Sequence, residues 1–304
     1  MALQSPVQSR NTASGYGFAL GAFCIWGFLP LFWKLTGHIN PIEVTAHRAL
    51  WSLPVAAIIL VIIGRTADII PTLKSPKKLW ILFICSVLIS LNWGVFIWAI
   101  TVERTLETAL AYYINPLLTV LLGYIFLGER FTNLQRVAIA LAAHAVLFMT
   151  VVGGTFPWVS LLLAGSFGFY GLLRKTVDVG PTQGFLVEVL LIAPFVLGIA
   201  IWLYVEGEAA LFTNNYDTLL LLLSGPATAI PLILYAMGAK RLMLSTIGIL
   251  QFLVPTMLFL ISIFVFKEPL RDGQVIAFIM IWIAISLYVI SLMRDHKEAG
   301  KRHN

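Results

Sequence analysis

Long apolar stretches alternate with short polar joints along the whole chain. A helix needs about 20 apolar residues to cross a hydrocarbon core of roughly 30 Å, and stretches of this length recur throughout. Prolines and glycines fall in or beside several joints, where they end helices. The pattern predicts an all-α integral membrane protein with ten spans, near residues 15–34, 42–63, 79–101, 106–127, 132–152, 156–174, 182–204, 218–238, 244–266 and 273–293.

The composition agrees with a chain that lies in lipid. Hydrophobic residues make up 60% of it and charged residues 11%, with a mean hydropathy of +0.93. A soluble domain averages about 25% charged residues. So few charges cannot cover a surface in water, whereas a lipid bilayer tolerates an apolar surface. The lipid bilayer is therefore an expected partner of the chain.

Lysine and arginine are distributed unevenly between the joints. If the N-terminus is cytoplasmic, the outer joints carry only Lys34, Arg104, Lys267 and Arg271. Cytoplasmic loops carry the excess of basic residues in membrane proteins, so both termini are predicted to lie in the cytoplasm. The same bias accounts for the net charge of +6. No nucleic-acid partner is needed to explain that charge, and none is expected.

The chain repeats itself weakly at a nearly constant offset. The matched positions, in order, are Pro41 with Pro181, Pro54 with Pro194, Pro116 with Pro255 and Glu129 with Glu268, at offsets of 140, 140, 139 and 139. The segment 27–34 also resembles 168–175, at an offset of 141. One match could arise by chance, but a run of matches in order favours an internal repeat.

The repeat divides the chain into two halves of five predicted helices, residues 15–152 and 156–293, flanked by tails 1–14 and 294–304. An odd number of helices makes the second half enter the membrane from the opposite side. The result is an inverted repeat, an architecture of many secondary transporters, whose sites lie near the midplane between the halves.

Several segments resemble those of the EamA-type permeases of the drug/metabolite transporter superfamily, within it the RarD group. They are His47–Ser52, Asn92–Ala99, Tyr113–Pro116, Phe126–Phe131, Ser166–Lys175, Leu244–Gly248 and Gln251. The likeness extends over nearly the whole chain. It implies ten helices and a permease of the bacterial cytoplasmic (inner) membrane. The second half ends its matched segment in Phe-Lys-Glu268 where the first has Leu-Gly-Glu129, which weakens any functional reading of Gly128.

Two charges are predicted to lie inside spans. Arg48 falls about seven residues into the second span, and Glu188 holds the equivalent place in the seventh, 140 residues on. An intramembrane charge costs at least about 2.5 kcal/mol on insertion scales, so it usually has a role or a partner. Arg48 is expected to bind an anionic or polar group of a substrate. Glu188 is expected to bind a cationic group or to carry a coupling proton. Alternatively, both are structural: Arg48 snorkels outward, or the two pair through water.

Further polar and aromatic residues are candidates for a substrate cavity between the halves. Tyr112 and Asn115 share one face of the fourth span, and Gln251 matches Tyr112 in the ninth. A polar face in a lipid-embedded helix must meet protein or water. Asn92, Trp93 and Tyr170 add hydrogen-bonding and stacking groups, and His47 is a candidate proton relay. The alternative for all of them is hydrogen bonding or packing between helices.

These features favour a secondary transporter that moves a small metabolite or drug-like solute by alternating access. No Walker A pattern is present. A lipid-modifying membrane enzyme would need a catalytic set such as GxSxG or HExxH, and neither pattern occurs. A non-transporting assembly or sensor protein is the other alternative. No catalytic residue, metal or cofactor is expected. The fifth and tenth helices carry few polar groups and are predicted to be a peripheral scaffold or a homodimer surface.

Overall fold

The computed structural model describes residues 12–102, 104–152, 158–265, 267 and 273–301. Most of the predicted N-terminal tail, the end of the C-terminal tail and the predicted start of the second half at residue 156 lie outside these residues. All regular structure in the described residues is helical. The helices are α1 (Ala13–Leu35), α2 (Pro41–Leu50), α3 (Ser52–Ile62), α4 (Ile69–Leu73), α5 (Pro76–Thr101), α6 (Thr105–Leu127), α7 (Asn133–Val152), α8 (Trp158–Thr176), α9 (Pro181–Val205), α10 (Asn215–Ala239), α11 (Leu244–Gln251), α12 (Leu253–Phe264) and α13 (Gln274–Lys301).

Within the described residues, nine segments are long and apolar enough to cross a membrane. They overlap nine of the ten predicted spans, so the chain is a multi-pass helical membrane protein. The predicted span 156–174 also forms a helix, α8, but it is less apolar than the others. It contains three glycines, two serines and the basic pair Arg174 and Lys175.

Prolines interrupt two of the membrane segments. Pro54 has no N–H for the carbonyl of Leu50, and the helix breaks between α2 and α3 at Trp51. Pro255 likewise has no N–H to donate to the carbonyl of Gln251, and α11 ends at Gln251. Both breaks therefore fall within one turn of a candidate site residue, Arg48 in the first case and Gln251 in the second.

The helices pack in a set of pairwise contacts across the two halves. The extensive contacts join α6 with α8 and α11, α1 with α10 and α12, α5 with α8 and α9, α2 with α9 and α10, and α7 with α13. The pairing of α7 with α13 sets these two helices at one side, where Phe278 and Tyr288 fill the contact. The main apolar core lies elsewhere, around Phe23, Tyr170 and Tyr235.

Small residues bring the backbones of the two halves into direct contact. A Cβ atom on Gly225 of α10 would collide with the backbone of Trp51, and one on Gly248 of α11 would lie 2.6 Å from the carbonyl oxygen of Pro116. Membrane helices use small residues for such close crossings. The two contacts hold the helix break beside Arg48, and α6 at Pro116, against the opposite half.

Candidate functional site

Arg48 lies between two indole rings at the interface of the halves. Its Cζ atom is 4.5 Å from the ring centroid of Trp93 and 5.0 Å from that of Trp33. A guanidinium at this distance from an indole face gains a cation–π attraction of about 0.5–1 kcal/mol at exposed sites and more when desolvated. The rings come from α5 and α1, so three separate helices position the charge.

The polar partners of Arg48 are neutral. Its Nε donates a hydrogen bond to Oγ1 of Thr228, at 3.1 Å. Among the described residues, Arg48 forms no ion pair with a carboxylate. The nearby Glu43 is engaged elsewhere, because its carboxylate accepts hydrogen bonds from the backbone N–H groups of Ala210 and Leu211. The half-buried guanidinium therefore keeps its positive charge uncompensated by protein groups in the described chain.

Glu188 has the opposite situation. Its Oε1 lies 3.1 Å from Nη1 of Arg174, and both side chains are almost completely buried. Tyr170 donates its hydroxyl to Oε2 of Glu188 at 3.2 Å, and Arg174 also donates to the carbonyl of Pro181 at 2.6 Å. A Cβ atom on Gly184 would collide with Nη1 of Arg174. The glycine therefore leaves the space in which the arginine turns from the end of α8 back toward Glu188.

The two charged positions match at the offset of the predicted repeat, with different chemistry. Glu188 follows Arg48 by 140 residues (188 − 48), and Arg174 follows Trp33 by 141 (174 − 33). In the first half an aromatic ring faces the arginine, and in the second half an arginine faces the glutamate. At positions matched by this offset, one half of the chain therefore holds a neutralised ion pair and the other an aromatic-flanked cation.

Asn115 and Gln251 lie where α6 and α11 cross, beside the contact of Gly248 with Pro116. Both side chains are buried, at 8% and 6% exposure. The amide oxygens Oδ1 of Asn115 and Oε1 of Gln251 have no hydrogen-bond partner among the described residues. Buried polar atoms are normally paired, so each of these oxygens can accept a hydrogen bond from a solute or a water molecule.

Other predicted site residues connect helices in this structure. Asn92 donates through Nδ2 to the carbonyl of Leu163 at 2.8 Å and to Oγ of Ser166 at 3.0 Å, which ties α5 to α8. His47 is buried, with its Nε2 3.7 Å from Oε1 of Glu43. It lies next to the Glu43 contacts with the loop before α10, and its Nδ1 has no hydrogen-bond partner among the described residues.

The structure thus distributes the predicted residues over three places. Arg48 and Trp93 form one cluster, Tyr170 and Glu188 a second, and Asn115 with Gln251 a third, while Tyr112 is partly exposed on α6. Sequence reasoning missed three partners, namely Trp33, Thr228 and Arg174. The repeat offset is the signal that could have related Trp33 to Arg174. Basic residues at a helix end are usually counted as loop charges, however, and Thr228 belongs to no sequence pattern.

A comparison with known proteins supports this architecture. Residues 13–151 match the model of the EamA-like transporter family. The uncharacterized transporter YojE of Bacillus subtilis is 39% identical, over 98% of this chain and 100% of its own length. The chain belongs to the EamA-like transporter family. Two EamA-like relatives carry the name protein RarD, that of Salmonella typhimurium at 37% identity over 96% of this chain and that of Escherichia coli at 33% over 97%, each covered to 100%.

These relatives confirm the predicted resemblance to the RarD group of EamA-type permeases. One solved crystal structure also superposes on 91% of this chain and 98% of its own, with a TM-score of 0.72 at 18% identity. At that identity the likeness shows the fold alone. The family membership and the names of the relatives together indicate that this chain is a membrane transporter.

Proposed function

We propose that this chain is a secondary transporter of the cytoplasmic membrane that carries a small solute with an anionic group by alternating access. Arg48 binds that group, and the indoles of Trp33 and Trp93 contact the rest of the solute. The ten helices form two inverted halves, with α8 as the sixth span and both termini in the cytoplasm.

The pattern of helix contacts supports the inverted repeat. If α1 corresponds to α8, α2–α3 to α9, α5 to α10, α6 to α11–α12 and α7 to α13, exchanging the halves converts the contact of α5 with α8 into that of α10 with α1. It also converts α6 with α8 into α12 with α1, and α5 with α9 into α10 with α2, and all of these contacts exist. The contacts of α7 with α13, of α6 with α11 and of α2 with α9 map onto themselves, as contacts along a pseudo-twofold axis must.

The observation that carries the proposal is the difference between Arg48 and Glu188. A lone charge inside a membrane protein is costly, and the chain offsets that cost for Glu188 with Arg174. For Arg48 it offers two aromatic faces and a hydroxyl, all neutral. A planar guanidinium with free donors suits a carboxylate or a phosphate. An anionic solute therefore supplies the charge that the described protein groups do not.

Release to the cytoplasm requires the contacts at that end of the bundle to open. The carboxylate of Glu129, at the end of α6, accepts hydrogen bonds from the backbone N–H of Leu244 at 2.6 Å and of Ser245 at 2.8 Å. Lys78 pairs with Asp178 at 3.0 Å. Both contacts join one half to the other, so they form in this conformation and break in the one that faces the cytoplasm.

The proposal is tested by a thermal-stability screen of the detergent-purified chain against anionic, cationic and neutral metabolites. A ligand that binds only the folded state raises stability by about RT ln(1 + [L]/Kd). Each hit is repeated with Arg48→Gln and with a matched control, Arg104→Gln. Arg104 also stacks on an indole, 5.3 Å from the ring of Trp158, but it has Glu107 as an ion-pair partner.

An anionic hit that loses its stabilisation in Arg48→Gln and keeps it in Arg104→Gln supports the site. Hits that are cationic, or that stabilise Arg48→Gln as strongly as the native chain, contradict it. Counterflow of the radiolabelled hit in proteoliposomes then separates transport from binding alone. A ligand that binds through Arg48 but shows no counterflow favours a sensor over a transporter.

A further inference from the structure

A groove of about 640 Å³ opens on the outer face of the bundle between α6 and α7. It lies apart from the Arg48 cluster. Its lining is apolar over most of its length and basic at one end. The lining residues are Leu117, Val120, Leu121, Tyr124, Arg130, Phe131, Arg136, Ile139 and Ala143.

The groove runs along α6 and α7. Leu117 and Tyr124 are seven residues apart on α6, which corresponds to about 10 Å at 1.5 Å per residue. Ala143 faces the deep end from α7, and Arg130 and Arg136 lie at the other end, where α6 passes into α7. The deep end is therefore surrounded by apolar side chains at membrane depth, and the shallow end lies at the membrane surface.

The two arginines at the shallow end are exposed, and neither forms an ion pair with a carboxylate of the described chain. The guanidinium of Arg130 lies 5.7 Å from the ring of Tyr124, which holds it over the groove. Arg136 occupies the first turn of α7, where the positive end of the helix dipole disfavours a cation. An anion between the two guanidiniums would remove both the unpaired charge and the conflict with the dipole.

We propose that this groove binds an anionic phospholipid of the surrounding membrane. One acyl chain lies along Leu117, Leu121 and Ala143, and the phosphate of the head group is bound by Arg130 and Arg136. The shape favours a lipid over a free anion, because most of the lining is apolar and only the membrane-surface end is charged. Basic pockets between membrane helices on the cytoplasmic side are a recognised setting for anionic head groups.

The back wall of the groove connects the lipid to the interior. Val120 lines the groove and also packs against α11, where a Cβ atom on Gly248 would lie 2.9 Å from its Cγ2. A bound acyl chain therefore supports the crossing of α6 with α11 from outside, at the level of Asn115 and Gln251.

Native mass spectrometry of the full chain in detergent tests the proposal with phosphatidylglycerol and phosphatidylcholine of identical acyl chains. Each arginine near an anionic head group contributes roughly a fivefold gain in affinity. The double variant Arg130→Gln/Arg136→Gln is therefore expected to lose about 25-fold in affinity for phosphatidylglycerol and little for phosphatidylcholine. The matched control Lys74→Gln/Lys77→Gln removes two exposed cations elsewhere on the proposed cytoplasmic side and should bind like the native chain.

A second variant tests the apolar part of the groove without changing any charge. Ala143→Phe places a ring in the deep end and is expected to weaken the binding of both lipids, whereas soluble glycerol phosphate should bind weakly to all variants. The proposal is overturned if the arginine variant keeps its preference for phosphatidylglycerol, or if the lysine control loses it equally. It is also overturned if glycerol phosphate binds as tightly as the lipid, or if Ala143→Phe abolishes a dimer and leaves lipid binding intact.

Discussion

The carboxylate of Glu188 lies 3.1 Å from the guanidinium of Arg174 in the buried centre of the protein, and each neutralises the other. Arg48, which the predicted repeat matches with Glu188, has only neutral partners among the described residues. The sequence predicts that both charges lie inside spans. Neutralising them is nevertheless expected to have different effects on the free energy of unfolding.

Neutralising Glu188 should destabilise the protein. Removing one partner of a buried ion pair leaves an uncompensated charge and costs about 3–5 kcal/mol, so Glu188→Gln and Arg174→Gln should each lower the free energy of unfolding by an amount of that order. The double variant Arg174→Gln/Glu188→Gln should cost much less than the sum of the single variants. Unfolding in mixed micelles with increasing sodium dodecyl sulfate measures the three values. Additive costs would show that the pair is not coupled.

Neutralising Arg48 should leave stability nearly unchanged and remove solute binding. In Arg48→Met, the loss of two cation–π contacts, each worth about 0.5–1 kcal/mol, is offset by the removal of a charge that is costly at membrane depth. The unfolding free energy should change by less than about 1 kcal/mol. Arg48→Lys keeps the charge but loses the planar fork, so it should retain only weak binding of the anionic solute. A destabilisation as large as that of Glu188→Gln would make Arg48 a structural residue.

Neutralising Glu129 should open the cytoplasmic end of the bundle. Its carboxylate caps the first N–H groups of α11 from the other half, and loss of a side-chain cap costs about 0.5–2 kcal/mol. In a Cys24→Ser background, labelling of Ser245→Cys by a membrane-impermeant maleimide in inverted vesicles should be faster when Glu129→Gln is added. Ser245 is fully buried in this structure, so the Cys variant with native Glu129 is the slow reference. Equal labelling rates would exclude Glu129 from closure of this end.

The stability should depend on pH through Lys240, which follows the last turn of α10. Burial, with Arg174 as the next cause, lowers the pKa of Lys240 from 10.5 to about 8. The unfolded chain therefore binds more protons than the folded one between these values, and stability rises with pH across that window. The melting temperature of the native chain should rise relative to that of Lys240→Gln between pH 8 and pH 10. A constant difference would show that Lys240 is not desolvated.

The sequence largely determined the positions of the helices. Each span must be apolar over a length that crosses the bilayer, and proline ends or breaks a helix because it has no N–H to donate. Pro41 and Pro181 begin helices, and Pro54 and Pro255 lie at the two breaks. The repeat offset also led to the prediction, from the sequence, that Arg48 and Glu188 are equivalent positions. Local chain chemistry is sufficient for the helix bounds and breaks, since each depends on residues within a few turns.

The partners of the charges were decided only by the tertiary structure. Thr228 lies 180 residues from Arg48 along the chain, and no local pattern relates the two. Arg174 has the sequence context of a loop cation at the end of a helix, yet the space beside Gly184 lets its long side chain reach Glu188 in the interior. Whether a charge in a membrane protein is free or neutralised depends on which side chains the packing of distant helices brings within a few ångströms, and hydropathy and spacing do not contain that information.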